Sequence, residues 1–181
     1  MPFLFRYPTL DDAQMLLDWR TSPDIASKMT TQVPYDLEKQ KKWLADCNAR
    51  NDYVHFIIML EDGCVPVGYL SYSQIDWQNM ECSVGYYTVL EKNKRHLSAY
   101  LSQFYLDYAF HKLKMQKVFS SILSTNTRTL EDMRRRNIPL KKQPDGNFYY
   151  EQDISDFLKK IRLFPLDRTL ASFPAEPSDP S

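Results

Sequence analysis

In the stretch "ECSVGYYTVL", Glu81 and Ser83 stand two residues apart, on one face of an extended strand, with Tyr86 and Tyr87 just beyond. A carboxylate there could draw a proton from a nucleophile through water, whereas a serine hydroxyl has no basicity near neutral pH. Glu81 is therefore the candidate base; a surface acid at a strand end is its plainer alternative. His55 in "YVHFIIML" is the rival, because an imidazole changes charge close to neutrality. The phenols of Tyr86 and Tyr87 could return a proton to a leaving group, although aromatic strand residues more often fill a core.

Directly after that strand comes "EKNKRHLSAYL", which has the position of an anion-binding loop running into a helix and yet contains no glycine. The first N–H groups of a helix lack intrahelical partners and carry the positive end of its dipole. Lys92, Lys94, Arg95 and His96 add cationic side chains, and Ser98 adds a hydroxyl. Together these suit a diphosphate; the alternative is a solvated basic turn. A second cationic run, Arg134-Arg135-Arg136, sits at a predicted helix C-terminus, where cations are favourable anyway, and reads as solvated.

The elements that must position these residues follow from periodicity. "FLFRY" (3–7) is a first strand. Thr9 and Asp12 give a capping signal before "DDAQMLLDWR", and "TSPDIASKM" turns into a short second helical piece. A helix with Leu37, Gln40, Trp43, Leu44 and Cys47 on one side follows. "YVHFIIML", "PVGYLSYSQI" and "ECSVGYYTVL" are strand-like, and their short turns predict an antiparallel meander. "HLSAYLSQFYLDYAFHKLKM" is an amphipathic helix burying Leu97, Leu101, Phe104, Tyr105, Tyr108 and Leu113. "KVFSSIL" reads as a strand and "NTRTLEDMRRR" as a helix, with Asn137 at a left-handed helix end and Pro139 as the stop. "NFYYEQDI" is the final expected strand, and Ser155 could cap a short helix, "DFLKKIRL". Four prolines among the last eighteen residues predict a tail. The predicted organisation is a domain over 1–153, a helix over 154–163 and a proline-rich tail over 164–181. Strands grouped before a helical crossover argue for a mixed α/β (α+β) layer fold rather than a bundle or a sandwich.

The 181 residues can bury a core without staples, and 23 basic residues cancel 23 acidic ones. Nothing global therefore draws the chain to nucleic acid or an anionic membrane. Cys47, Cys64 and Cys82 have neither zinc spacing nor a disulfide framework and read as buried thiols of a reducing cytosol. The start has no signal-peptide form, and no apolar stretch nears the ~18 residues needed to span a bilayer. The expected location is the cytoplasm.

This order of words resembles the GCN5-related N-acetyltransferase (GNAT) superfamily from Phe5 to about Gln152. "DDAQMLLDWRTSPDIASKM" is similar to that family's opening helix pair, and "PVGYLSYSQIDWQNMECSVGYYT" to its third and fourth strands. "YLDYAFHKLKMQKVFSSILSTNTRTLEDM" is similar to its third helix, fifth strand and Asn-led fourth helix. Trp19-Arg20, with Met29 nine residues beyond Arg20, most resembles the members that N-acetylate nucleotide-linked 4-amino sugars in pseudaminic-acid-type pathways. The resemblance implies a mostly antiparallel sheet with helices on both faces, splayed between its fourth and fifth strands, and acetyl-CoA as co-substrate bound in the splay. It places Tyr87, Thr88, Val89 and their strand neighbours against the pantetheine arm and thioester, with Asn126 helping to hold that arm. It places Lys94, Arg95, His96, Leu97, Ser98 and Ala99 at the diphosphate. Lys94 there stands for the family's Arg or Gln, Leu97 for a glycine and Ala99 for the permitted alanine; a register starting one residue earlier, at Asn93, is the alternative. The loop is thus expected to lean on charge where its relatives lean on backbone geometry.

The family's helix-four tyrosine corresponds to Met133, which cannot donate a proton, so Tyr86, Tyr87 or solvent would serve. Arg20 matches the acceptor wall as a guanidinium for phosphate or base, unless it is an ordinary helix-end cation. Met29 offers an adaptable apolar surface and His55 a further acceptor-side contact. Trp43 and Trp77 could stack on a nucleobase or serve the core or an interface. One of the three arginines could reach the 3'-phosphate of CoA. The expected partner is a small-molecule substrate, with no nucleic acid and no membrane; pairing of two copies through "NFYYEQDI" stays open. The alternatives are acetylation of a protein N-terminus or a polyamine, or a GNAT-like binding protein without turnover.

Overall fold

A computed structural model of the chain describes residues 3–90, 98–163 and 165–174. Strand β1 (Phe3–Arg6) leads through a one-turn 3-10 helix into α1 (Ala13–Thr21), α2 (Pro23–Ala26) and α3 (Leu37–Asn48). The Thr9–Asp12 capping box is present. Arg6 reinforces it, donating from Nη1 and Nη2 to the two Asp12 carboxylate oxygens at 2.7 Å each. Asp12 is buried, and this fork holds its carboxyl below the usual range.

The meander follows as β2 (Val54–Leu60), β3 (Val65–Asp76) and β4 (Glu81–Thr88), paired antiparallel throughout. Then come α4 (Ser98–Asp107), continued by a π-helical turn over Tyr108–Lys112, and β5 (Lys117–Ile122). After α5 (Thr127–Arg135) lie β6 (Lys141–Lys142), β7 (Phe148–Asp153), α6 (Ile154–Leu163) and β8 (Ala171–Ser172). The sheet order is β6-β7-β5-β4-β3-β2-β1-β8, with β4–β5 and β1–β8 parallel.

Side chains alternate across this sheet and divide the core in two. Phe56, Ile58, Leu70, Tyr72 and Val84 face α4 and its π-helical continuation, where Leu101, Phe104, Tyr105 and Tyr108 are buried as the periodicity predicts. Ile57 and Tyr69 point the opposite way, onto Ala13 and Leu16 of α1 and Leu44 of α3. Each fully buried side chain of this size contributes about 1.5–3 kcal/mol. Asn137 adopts the expected left-handed conformation, with φ of 53°. None of the described helices is long and apolar enough to cross a membrane.

Three expectations need correcting. Part of the predicted tail is packed: β8 pairs with β1, and Phe173 stacks on Phe5 with ring centroids 4.0 Å apart. Aromatic burial there holds a segment that has no periodicity of its own. The two-residue β6, also unexpected, adds an outer edge beside β7. Finally, Cys64 is exposed in the turn before β3, while Cys47 and Cys82 are buried and desolvation pushes their thiols up to about 11 and about 12.

Candidate active site

Strands β4 and β5 are paired only from Glu81–Ser83 to Lys117–Phe119. Beyond Ser83 they separate, while β4 stays bonded to β3 as far as Thr88. Backbone groups alternate between the two edges of a strand, and the Val89 N–H donates to Val67 O at 2.8 Å, toward β3. By the same alternation the N–H and C=O groups of Val84, Tyr86 and Thr88 point into the gap that β5 has left. The result is an open backbone edge along the cleft, whose groups are left for water or a ligand to satisfy.

A cleft of about 1490 Å³ runs through this gap and over the meander toward α1 and α3. On the β5 side it meets Ser102 and Tyr105 of α4, Asn126 and Arg136. Asn126 lines the cleft and caps α5, its Oδ1 accepting from Thr129 N at 3.4 Å. Arg136 is only partly solvated, against expectation: it follows the last turn of α5 and folds back into the cleft. There it donates to Ser102 Oγ and pairs with Asp132 Oδ2 at 2.9 Å. Tyr86 packs its ring 5.3 Å from that of Tyr105, and desolvation raises its phenol while Arg136 draws it back. Tyr105 and Tyr150 are both buried beside this side of the cleft, and desolvation raises both phenols. Met133 is buried against Tyr150 and Leu130.

On the α1 side Arg20 and Met29 both line the cleft. Arg20 Nη2 donates to Thr31 O at 2.6 Å and to Thr31 Oγ1 at 2.9 Å, while its Nη1 is buried without a partner among the described residues. Burial lowers the Arg20 pKa, and the neighbouring Tyr87 works against that. The Tyr87 ring stacks on Tyr69 at 5.7 Å and meets Trp19 edge-on. Trp43 lines the cleft with 39% of its surface exposed and presents its ring to Tyr53, His55 and Tyr69. Trp77 stands apart, donating from Nε1 to Asn51 O at 2.9 Å.

The structure thus brings Arg20, Met29, Tyr86, Tyr87, Thr88, Val89 and Asn126 together, but not Glu81 or His55. Glu81 sits where β4 and β5 are still bonded and pairs with Lys117 Nζ at 3.4 Å, away from the cleft lining. His55 is 3% exposed and hydrogen-bonded at both ring nitrogens; burial lowers its pKa to about 4, so it is neutral and not a free base. Lys94, Arg95, His96 and Leu97 lie outside the described residues, and Ser98 and Ala99 begin α4. Sequence reading missed Tyr53, Tyr69, Ser102 and Tyr150. The alternation of Tyr53 with His55 was visible, but Tyr69 joins them only through cross-strand register.

The family of acetyltransferase (GNAT) domains matches residues 3–135. The chain belongs to the GNAT acetyltransferase family. No curated protein matches it by sequence. Among solved structures, FdhC, a nucleotide-linked sugar GNAT, superposes with a TM-score of 0.76 at 14% identity, over 90% of this chain and 93% of its own. The spermidine N-acetyltransferase of Vibrio cholerae, in complex with CoA and spermine, gives 0.76 at 12% identity, over 86% and 98%. AAC(6')-Ib in complex with paromomycin and acetyl-CoA gives 0.70 at 17% identity, over 88% and 97%. At these identities the likeness speaks for the fold. As a GNAT acetyltransferase the chain takes its acetyl group from acetyl-CoA.

Proposed function

We propose that this GNAT enzyme N-acetylates the amine of a nucleotide-linked amino sugar. Acetyl-CoA, when bound, supplies the activated acetyl group. The N–H groups of Val84 and Tyr86 on the open β4 edge are placed to receive the negative charge that develops on the acetyl oxygen. The carboxylates lining the cleft among the described residues are Asp24, Asp36 and Asp132. Asp36 caps α3, Asp132 pairs with Arg136, and Asp24 is exposed in the first turn of α2 rather than on β4, so we assign the base role expected of Glu81 to none of them and the ammonium proton leaves to solvent. Tyr86, on the gap side of β4, is the phenol placed to protonate the departing thiolate.

The observation that carries the choice of acceptor is the buried, unpartnered Nη1 of Arg20. An unmet cationic donor calls for an anionic or strongly accepting group, which a nucleotide diphosphate brings and a polyamine lacks. Half-buried Met29 and exposed Trp43, both lining the cleft, supply apolar and aromatic surface for a deoxysugar and a base. Two of the three lining carboxylates are already engaged, which also disfavours a polycation. A thiol-release assay should show turnover with UDP- or dTDP-linked 4-amino-4,6-dideoxy sugars and little with spermine or a peptide N-terminus. Preference for spermine would overturn the reading.

A further inference from the structure

A chain of four side chains runs from the cleft through buried His55 to Asn48 at the exposed end of α3. Tyr53 Oη lies 3.2 Å from Tyr69 Oη, Tyr69 Oη lies 2.7 Å from His55 Nδ1, and His55 Nε2 lies 2.6 Å from Asn48 Oδ1. The far end fixes its polarity. Asn48 Nδ2 donates to the Pro8 carbonyl, which can only accept, so Oδ1 faces the imidazole and must receive a proton from Nε2. A neutral imidazole has one N–H, and burial keeps His55 neutral at physiological pH. Nδ1 is then a lone pair that takes the Tyr69 proton, and the Tyr69 oxygen in turn takes the Tyr53 proton. Each hydrogen is used once, all in one direction.

The Tyr53 oxygen is what remains at the cleft. Its hydrogen is directed inward, so it can only accept. Ser71, the β3 residue paired with His55 on one side and Gly85 of β4 on the other, sits beside it. Gly85 has no side chain to block the way, and only Ser71 Oγ, at 3.9 Å, is near where one would be. Trp43 covers the chain, with ring centroids 6.3–6.5 Å from those of Tyr53, His55 and Tyr69.

We propose that Tyr53 is a catalytic residue whose oxygen accepts a hydrogen bond from the amine being acetylated, and that Tyr69, His55 and Asn48 are positioning residues that hold it as an acceptor. This rests on the transferase reading above. As the amine lone pair bonds to the acetyl carbon, nitrogen becomes positive and its N–H groups become stronger donors. An obligate acceptor is therefore worth more in the transition state than in the bound substrate. No proton is stored on His55.

Two measurements test this. With saturating acetyl-CoA and a dTDP-linked 4-amino-4,6-dideoxy sugar, Tyr53→Phe should lower kcat roughly ten- to a hundredfold, with the KM for acetyl-CoA within twofold of wild type. Tyr69→Phe should fall between the two, because the oxygen stays but is no longer held; a kcat for Tyr53→Phe within twofold of wild type overturns the proposal. Separately, nitrogen NMR of the isotope-labelled free enzyme should show His55 as the Nε2–H tautomer. The Nδ1–H tautomer would reverse the chain and overturn the proposal with no acceptor present. Absence of transfer to any nucleotide-linked amino sugar, with the Nε2–H tautomer observed, would instead count against the acceptor reading.

Discussion

The two halves of the cleft place polar groups by opposite means. Toward α1 and α3, neutral groups are paired into a closed chain of phenols, imidazole and amide, with aromatic cover and one unmet guanidinium nitrogen. Toward β5 and α5, polarity comes from a strand edge without a neighbour and from Arg136 held by Ser102 and Asp132. The first arrangement is rigid and directional, suited to orienting a nucleophile. The second offers charge and backbone donors along a length, suited to an extended coenzyme. The gap-side edge of β4 is the seam where the two meet, and on the proposed function it is where the acetyl group crosses.

The largest expected effect concerns the closed chain. Buried His55 has a pKa lowered to about 4, against about 6.5 for an unfolded imidazole. Below pH 6.5 the unfolded chain therefore binds a proton that the native state refuses. Stability intact above pH 6.5 is lost progressively as pH falls toward 4, by on the order of 3 kcal/mol for this group. Denaturant melts between pH 7 and pH 4 should show this loss, and His55→Gln should flatten it relative to wild type. Equal slopes in both proteins would mean that the imidazole is solvated and the chain is not closed.

The second effect separates the halves directly. Arg20→Ala removes the unmet donor and should raise the acceptor KM about ten- to a hundredfold, the range for a hydrogen bond to a charged group. Arg136→Ala should raise the KM for acetyl-CoA and leave that for the acceptor nearly unchanged. Steady-state kinetics with each substrate varied would show the crossed pattern. If both variants moved the same KM, the division at β4 would be wrong.

Much of the scaffold could be read in advance because it rests on local pattern. The aromatic and β-branched runs "YVHFIIML", "PVGYLSYSQI" and "ECSVGYYTVL", joined by short turns, specify a meander, and the face of Leu101, Phe104, Tyr105 and Tyr108 specifies α4 and its continuation. The roles that failed depend on distant pairing. Glu81 looked available until Lys117 arrived beside it from β5, and His55 looked titratable until Tyr69 and Asn48 closed on it. Arg136 read as a solvated helix-end cation because its Ser102 partner comes from another helix. Strand β8 has two residues and is held by Phe173 against Phe5 and Tyr108, contacts that leave no period in the sequence.

The smallest effect sharpens the seam itself, through two glycines on adjacent strands. A Cβ at Gly68 of β3 would stand 2.4 Å from Tyr87 O and 3.1 Å from Thr88 Cα, both backbone atoms that cannot swing aside. Gly68→Ala should force β4 outward and cost roughly 1–3 kcal/mol, with turnover falling as Tyr87 and Thr88 shift. A Cβ at Gly85 would meet only Ser71 Oγ, at 3.9 Å. Gly85→Ala should keep stability or gain about 0.5 kcal/mol from the stiffer unfolded chain. Its methyl group would nevertheless stand on the face shared by Ser71 and the Tyr53 oxygen, so the acceptor KM should rise a few-fold while that for acetyl-CoA stays put. The opposite result, a changed coenzyme KM with the acceptor untouched, would mean that the acetyl group crosses β4 beyond Gly85.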